Sequence, residues 1–185
     1  RSTAIGLAMA SPVGMASPFR YARDRREVDT IGHPAYRAEV LREVGPFDEE
    51  LERNSDYELN WRLRDAGHRL VFDPDIVTIY RPRGSLRALG RQFWHYGRWK
   101  QRVVRRHPRS MAPRHLVAPA AVLGVAVSPV LSRWRWGRRV VVAGGLGYAV
   151  VVATGVVLAR PRAHHADPLV LAASFPVMHG AWGAG

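Results

Sequence analysis

The chain has 185 residues, enough for one modest domain with a core, and it contains no cysteine, which excludes disulfides and thiolate zinc sites. Its formal charge of +13 is unevenly spread: residues 1–75 hold 11 Arg against 14 Asp and Glu, whereas residues 76–185 hold 17 Arg and Lys against one Asp. The first stretch therefore reads as an ordinary soluble domain, and the second as a segment that meets phosphates of nucleic acid, lipid headgroups or a nucleotide.

Of the 28 basic residues only Lys100 is Lys. A G/C-rich coding bias produces such a composition, and Arg is also the better fork for phosphate and carboxylate. Residue 1 is Arg and no charged-then-apolar leader opens the chain, so its start reads as the interior of a longer polypeptide.

Residues 1–19 are small and apolar and predict a loop or weak helix, and residues 20–27 are charged and exposed. Val28–Ile31 predicts a short strand. Pro34 then opens a helix over Ala35–Val44, with Gly45 as its stop. After a turn at Pro46–Glu49, Asn54 or Ser55 caps a helix over Asp56–Ala66, with Leu59 and Leu63 on one face and Gly67 ending it. Leu70–Phe72 and Ile76–Tyr80 read as strands separated by the turn Asp73-Pro74-Asp75. Ser85 caps a basic helix from about Leu86 to His107.

Residues 116–131 and 140–159 carry no charge. The second stretch has 20 residues, which at about 1.5 Å each can just cross a hydrocarbon core of about 30 Å. The first is short and holds Pro119 and Pro129, so it reads as kinked, tilted or re-entrant; residues 169–185 form a third apolar segment that includes His179. Basic flanks mark cytoplasmic ends. Seven lie ahead of the first stretch (Arg98, Lys100, Arg102, Arg105, Arg106, Arg109, Arg114), four between the two (Arg133, Arg135, Arg138, Arg139), and Arg160 and Arg162 follow. A re-entrant or interfacial first stretch keeps the larger clusters on one side.

The densest polar cluster runs from Asn54 to Arg64. Asp56 falls in the first turn of its helix, where the dipole favours a negative charge. Spacing alone fits a capping acid as well as a carboxylate that takes a proton from an attacking hydroxyl. Glu58 and Arg62, four apart, read as a helix-surface pair.

The run Val44-Gly45-Pro46-Phe47-Asp48-Glu49-Glu50-Leu51, followed by Asn54-Ser55-Asp56-Tyr57-Glu58-Leu59-Asn60-Trp61-Arg62-Leu63-Arg64-Asp65-Ala66-Gly67-His68, resembles family 2 glycosyltransferases. In that family a Gly-Gly-Phe-Asp-Glu segment precedes Glu-Asp-x-Glu-Leu-x-x-Arg-Leu-x-x-x-Gly. With Val28-Asp29-Thr30, Ala35-Tyr36-Arg37, Tyr80 to Leu86, and Arg91 to Lys100, the chain resembles the succinoglycan-biosynthesis branch over roughly residues 4–185.

The resemblance implies an α/β fold: the C-terminal, acceptor-side part of a GT-A domain (1–85), then a basic interfacial helix (86–115) and a membrane region (116–185). It implies an inverting transfer in which Asp56 is the catalytic base. Ser55 stands where the family has Glu, which leaves the base and removes a neighbouring charge. In processive relatives a Gln-x-x-Arg-Trp motif holds the acceptor, which loosely assigns acceptor binding to Gln92, Trp94, Tyr96, Arg98 and Trp99, with a longer gap here. Flat aromatic faces suit a sugar ring, and Arg98 and Lys100 suit a diphosphate. An amphipathic helix on a bilayer explains the same residues, and the two readings are compatible.

The family's nucleotide-binding half, with its Asp-x-Asp metal motif, precedes this region. Asp73-Pro74-Asp75 falls after the base and reads as a turn, and His164-His165 as a loop. The expectation is therefore no cofactor and no metal in this chain, which alone would be inactive, with Mg or Mn and a nucleotide-sugar donor in an intact enzyme. The acceptor would be lipid-linked or a glycan, the location the cell membrane with the catalytic part cytoplasmic, and nucleic acid no partner. With partner strands missing, the sheet should show an unpaired edge. The alternative is a non-catalytic basic membrane protein that docks anionic lipid through Arg102, Arg105 and Arg106.

Overall fold

The computed structural model describes residues 2–15, 17–20, 22–159, 163 and 165–185. The readings placed on Arg160, Arg162 and His164 lie outside the described residues. The elements are α1 (Ser2–Ala10), β1 (Arg26–Glu27), α2 (Ala38–Val44), α3 (Ser55–Asp65), β2 (Val71–Phe72), α4 (Leu86–Arg106), α5 (Arg114–Leu131), α6 (Arg135–Ala159) and α7 (Pro168–Ala184), with 3-10 turns at Pro18–Arg20 and Pro108–Ser110. The chain is thus mostly helical. Against the α/β expectation, its only sheet among the described residues is a two-stranded antiparallel pair, with Arg26 opposite Phe72 and Glu27 opposite Val71.

The chain divides into two compact units. A helical unit contains Arg1–Ala16, Arg81–Arg98 and Ala112–Gly185; a polar unit contains Ser17–Tyr80 and Trp99–Met111. The helix α4 contributes its first part to the former and its last turns to the latter.

In the polar unit, α3 buries Leu59 and Leu63, one turn apart, against Val28 and Leu70, with Val40, Leu41 and Val44 of α2 alongside. Its C-terminus closes as the sequence predicts. Gly67 takes φ +88°, its N–H reaches Arg64 O at 3.0 Å, and His68 N–H reaches Leu63 O at 2.9 Å. These two bonds make the glycine-dependent Schellman closure. Gly45 likewise stops α2, with φ +85° and its N–H on Leu41 O.

Four expectations need correction. The strand placed at Val28–Ile31 lies at Arg26–Glu27, because Val28 and Leu70 turn into the core while Val28 N–H still reaches Leu70 O at 3.0 Å. Helix α2 begins at Ala38 rather than Ala35, because Tyr36 is drawn off to Asn60 and Arg37 stays extended. Asn54 is the N-cap of α3, but it sits in the left-handed region at φ 60° and its side chain makes no capping bond. Ile76–Tyr80 is no strand: β-branched residues favour a ladder only where one exists to join, and Ile76, Val77 and Ile79 are 71, 80 and 86% exposed.

In the helical unit, residues 2–10 form a full helix because Ile5 and Met9 are buried with Leu89 and Phe93 of α4 and Leu171, Phe175 and Met178 of α7. Ser85 caps α4, its hydroxyl accepting from Ala88 N–H at 3.2 Å. Asp167 caps α7, accepting from Leu169 and Val170 N–H at 2.9 and 3.2 Å, with Pro168 at the first helical position. Helix α5 runs unbroken through Pro119 and Pro129. Helices α5 (18 residues) and α6 (25 residues) each contain an 18-residue stretch, of mean hydropathy 1.5 and 2.2, long and apolar enough to cross a membrane, and few of the residues in these stretches are fully buried within the chain.

Close backbone approach sets this packing. A Cβ on Gly97 would overlap the Trp182 carbonyl oxygen, whereas one on Gly144 meets nothing within 4 Å. Gly97→Ala should therefore destabilise the helical unit by about 1–3 kcal/mol, the cost of overpacking against backbone that cannot yield. Gly144→Ala should stabilise by up to about 1 kcal/mol through helix propensity. Thermal unfolding in one detergent, monitored by circular dichroism, checks the opposite signs.

Candidate active site

The site is built on the first two turns of α3. Asp56 is half-buried, and its Oδ1 accepts a hydrogen bond from Tyr57 N–H at 2.8 Å, which fixes the carboxylate at the helix N-terminus. Gly32 lies beside it: a Cβ there would come within 3.9 Å of Asp56 Oδ2 and 3.2 Å of the Phe19 ring. The bare glycine thus lets the Phe19 ring pack closely over the segment that runs beside the carboxylate.

One turn on, Asn60 is fully buried and saturated. Its Oδ1 accepts from the Tyr36 hydroxyl at 2.9 Å, and its Nδ2 donates to Thr30 Oγ1 at 3.1 Å and Ile31 O at 2.9 Å. These bonds lock the segment around Gly32 against α3. Burial pushes the Tyr36 pKa well above the usual tyrosine value, and the Asp56 charge pushes it the same way while Arg62 opposes. Tyr36 is therefore a hydrogen-bond donor at neutral pH.

The surface reading of Glu58 and Arg62 is corrected. Glu58 is 2% exposed, and Arg62 binds it through two contacts of 2.8 and 3.0 Å. The same guanidinium donates to the carbonyls of Val44, Gly45 and Pro46, so it clamps the end of α2 onto α3. His107 Nε2 lies 2.9 Å from Glu58 Oε1, and its ring stacks on Trp61 at 4.3 Å. Arg106 bridges Asp48 and Glu50. Helical spacing reveals the Glu58–Arg62 pair but not its carbonyl partners or His107, which come from distant sequence.

The five predicted acceptor residues fall into three groups. Gln92 and Tyr96 form one hydrogen-bonded pair at 2.7 Å, with Arg83 donating to Gln92 Oε1 at 3.0 Å. Trp94 and Arg98 form a second pair on another stripe of α4, the guanidinium 5.3 Å from the ring centroid. Both pairs belong to the helical unit. Trp99 belongs with Asp56 to the polar unit, where it is buried with Leu51 and Val103 under the Arg102 guanidinium. Lys100 is also buried, its Nζ 2.7 Å from the centre of the Tyr57 ring, so its charge is engaged inside the unit.

Among the described residues no three His, Cys, Asp or Glu side chains are grouped to hold a metal ion. Asp73-Pro74-Asp75 is a turn, with Asp73 Oδ1 accepting from Asp75 N–H at 3.1 Å and Oδ2 facing Arg25. The described residues thus do not fit the divalent ion that the resemblance implies.

The chain is similar to a succinoglycan biosynthesis protein and to two kinds of protein named as glycosyltransferases. It is 33% identical over 153 residues to the succinoglycan biosynthesis protein ExoA of Rhizobium meliloti, an alignment that covers 83% of this chain and 45% of that protein. It is 32% identical over 92 residues to the pre-mycofactocin glycosyltransferase of Mycobacterium tuberculosis, covering 50% of this chain and 20% of the relative. It is 28% identical over 98 residues to a dolichyl N-acetyl-glucosaminyl phosphate diacetamido-dideoxy-glucuronosyltransferase of Methanococcus voltae, covering 52% and 30%. The chain thus spans less than half the length of each of these relatives. No family model and no solved structure matches it.

Two outcomes follow from the Arg62 clamp and from Tyr36. Glu58→Ala leaves Arg62 without its carboxylate and should cost about 3 kcal/mol of stability in denaturant unfolding. The raised Tyr36 pKa means that the folded protein holds this proton more tightly than the unfolded chain. Its contribution is fully present below pH 10.0, the ordinary tyrosine value, and is lost as pH rises beyond it. Tyr36→Phe should flatten the fall in stability above that pH, read from unfolding midpoints at a series of alkaline pH values.

Proposed function

We propose that the chain is the acceptor-side part of an inverting, family 2-type glycosyltransferase attached to a membrane, and that it belongs to a longer GT-A polypeptide. In that reading Asp56 removes the proton from an acceptor hydroxyl. The freed oxygen attacks the anomeric carbon of a nucleotide sugar from the face opposite the leaving group. The bond from that carbon to the diphosphate breaks, and the nucleoside diphosphate departs with the electron pair, so configuration inverts. The acceptor is a lipid-linked sugar or growing polysaccharide, and the catalytic part faces the cytoplasm.

The single observation that carries this reading is Asp56 itself: a carboxylate fixed at the start of α3 beside Gly32, in a chain 33% identical over 153 residues to a succinoglycan biosynthesis protein. The α5 and α6 helices support membrane attachment. The coverage of the relatives and the exposed apolar run at Ile76–Tyr80 support membership of a larger sheet-bearing domain. The nucleotide sugar and its divalent ion are then held by that remaining part; in this reading residues 116–131 lie at the interface or re-enter it.

Lipid docking is less well supported, because Arg106 is committed to Asp48 and Glu50, and Arg102 to the Trp99 ring. Asp56→Asn in the full-length protein should lower transfer from a labelled nucleotide sugar in membranes by about 10²–10⁴-fold. Expression, membrane attachment and unfolding midpoint should stay unchanged. Wild-type transfer by this variant would remove Asp56 as the base.

A further inference from the structure

A recess opens on the side of α3 that carries Trp61. It has a volume of about 390 Å3, and Trp61, Arg64 and Asp65 line it together with Glu27, Arg69 and Arg109. Trp61 is five residues beyond Asp56, which at 3.6 residues per turn places it about 140° around the helix axis. The recess is therefore separate from the carboxylate proposed as the base. It lies wholly within the polar unit.

Its chemistry is specific. Glu27 and Arg69 face each other at 3.2 Å and neutralise one another. Arg64 spends one nitrogen on Asp29 O at 3.2 Å, which leaves the rest of its fork. Arg109 is exposed and makes no hydrogen bond or ion pair with any described residue. Set against Asp65, these leave one net positive charge at the rim. The indole of Trp61 is half-buried and braced from behind: His107 stacks on it at 4.3 Å, and Glu58 holds His107 while Arg62 holds Glu58. A rigid aromatic plane beside a spare guanidinium matches a sugar ring that carries an acidic group. The volume falls in the range of small-ligand sites, about 300–1,000 Å3.

We propose that this recess is an accessory binding site for an anionic saccharide, with the ring on Trp61 and the acidic group on Arg109 and Arg64. The inference goes beyond the transfer reading, since binding here needs neither donor nor Asp56. The acidic group is a carboxylate or a phosphate, and both present oxygens that a guanidinium recognises.

The full-length protein in phosphatidylcholine nanodiscs, titrated calorimetrically, tests it with four probes: glucuronic acid, glucose 1-phosphate, glucose and inorganic phosphate. Glucuronic acid or glucose 1-phosphate should bind saturably and more tightly than both glucose and phosphate, and the tighter of the two identifies the acid. Arg109→Gln should weaken that probe about tenfold or more, the size of one charge-assisted contact. Trp61→Phe, which keeps an aromatic plane, should weaken it less than Trp61→Leu. Three results would overturn the proposal: no saturable binding of either anionic sugar, phosphate binding as tightly as glucose 1-phosphate, or no effect of Arg109→Gln. Because no sugar nucleotide is present, such a failure leaves the transfer reading standing.

Discussion

Arg62 holds the polar unit together. A buried ion pair is a poor investment where it only exchanges hydration for one contact, since desolvating two charges offsets most of their attraction. Here the guanidinium is engaged well beyond Glu58, with the carbonyls of three successive residues, Val44 to Pro46, also taking its donors. Those carbonyls lie at the end of α2, where the helix leaves them unpartnered. One side chain therefore satisfies a helix terminus, fixes where the following turn begins, and neutralises a buried acid. Glu58 Oε1, which also accepts from Arg62 Nε, then decides where His107 sits, and His107 decides where the Trp61 ring lies.

The same helix presents a different chemistry on each side. Asp56 and Asn60 are one turn apart, and the segment carrying Thr30, Ile31 and Gly32 is stitched to Asn60 by hydrogen bonds. Such a network is worth having only when every member is satisfied, because an orphaned amide in a low-dielectric interior is costly. Asn60 meets that condition through Tyr36, Thr30 and Ile31. The position of Asp56 relative to Gly32 is thus set by the bonds that Asn60 makes to Tyr36, Thr30 and Ile31.

The parts of the fold legible in sequence are those set by local rules. The apolar lengths of α5, α6 and α7, the glycine stops at Gly45 and Gly67, and the Ser85 cap all follow from propensity and period over a few residues. Asp56 was legible as a first-turn acid, and its reading as the base rests on the order of motifs rather than on spacing. The Glu58–Arg62 spacing was visible while its burial was not, because the carbonyls that Arg62 meets lie 16–18 positions upstream and His107 lies 49 downstream. Ile76–Tyr80 failed for the opposite reason: its residues favour a strand, but no partner among the described residues offers the ladder that a strand needs. The first residues, too weak as a helix by composition, are ordered by Leu89, Phe93 and Phe175, which no local rule foresees.

The two units solve one problem with different means. In the polar unit, order comes from charges and amides whose partners are fixed in direction. In the helical unit, where apolar side chains gain little from facing one another if the surroundings are also apolar, order must come from close backbone approach and a few polar links. Gly97 against the Trp182 carbonyl supplies the first. His179 supplies the second: its Nε2 lies 2.9 Å from Val13 O, an acceptor only, so that nitrogen must carry the proton. Its Nδ1, 3.0 Å from the Tyr148 hydroxyl, then accepts from it in the neutral ring. Both ring nitrogens are thereby used, and the imidazole ties the segment after α1 to α6 and α7. A polar residue among apolar helices invites a functional reading, but one whose two nitrogens are already committed to the fold is explained by the fold.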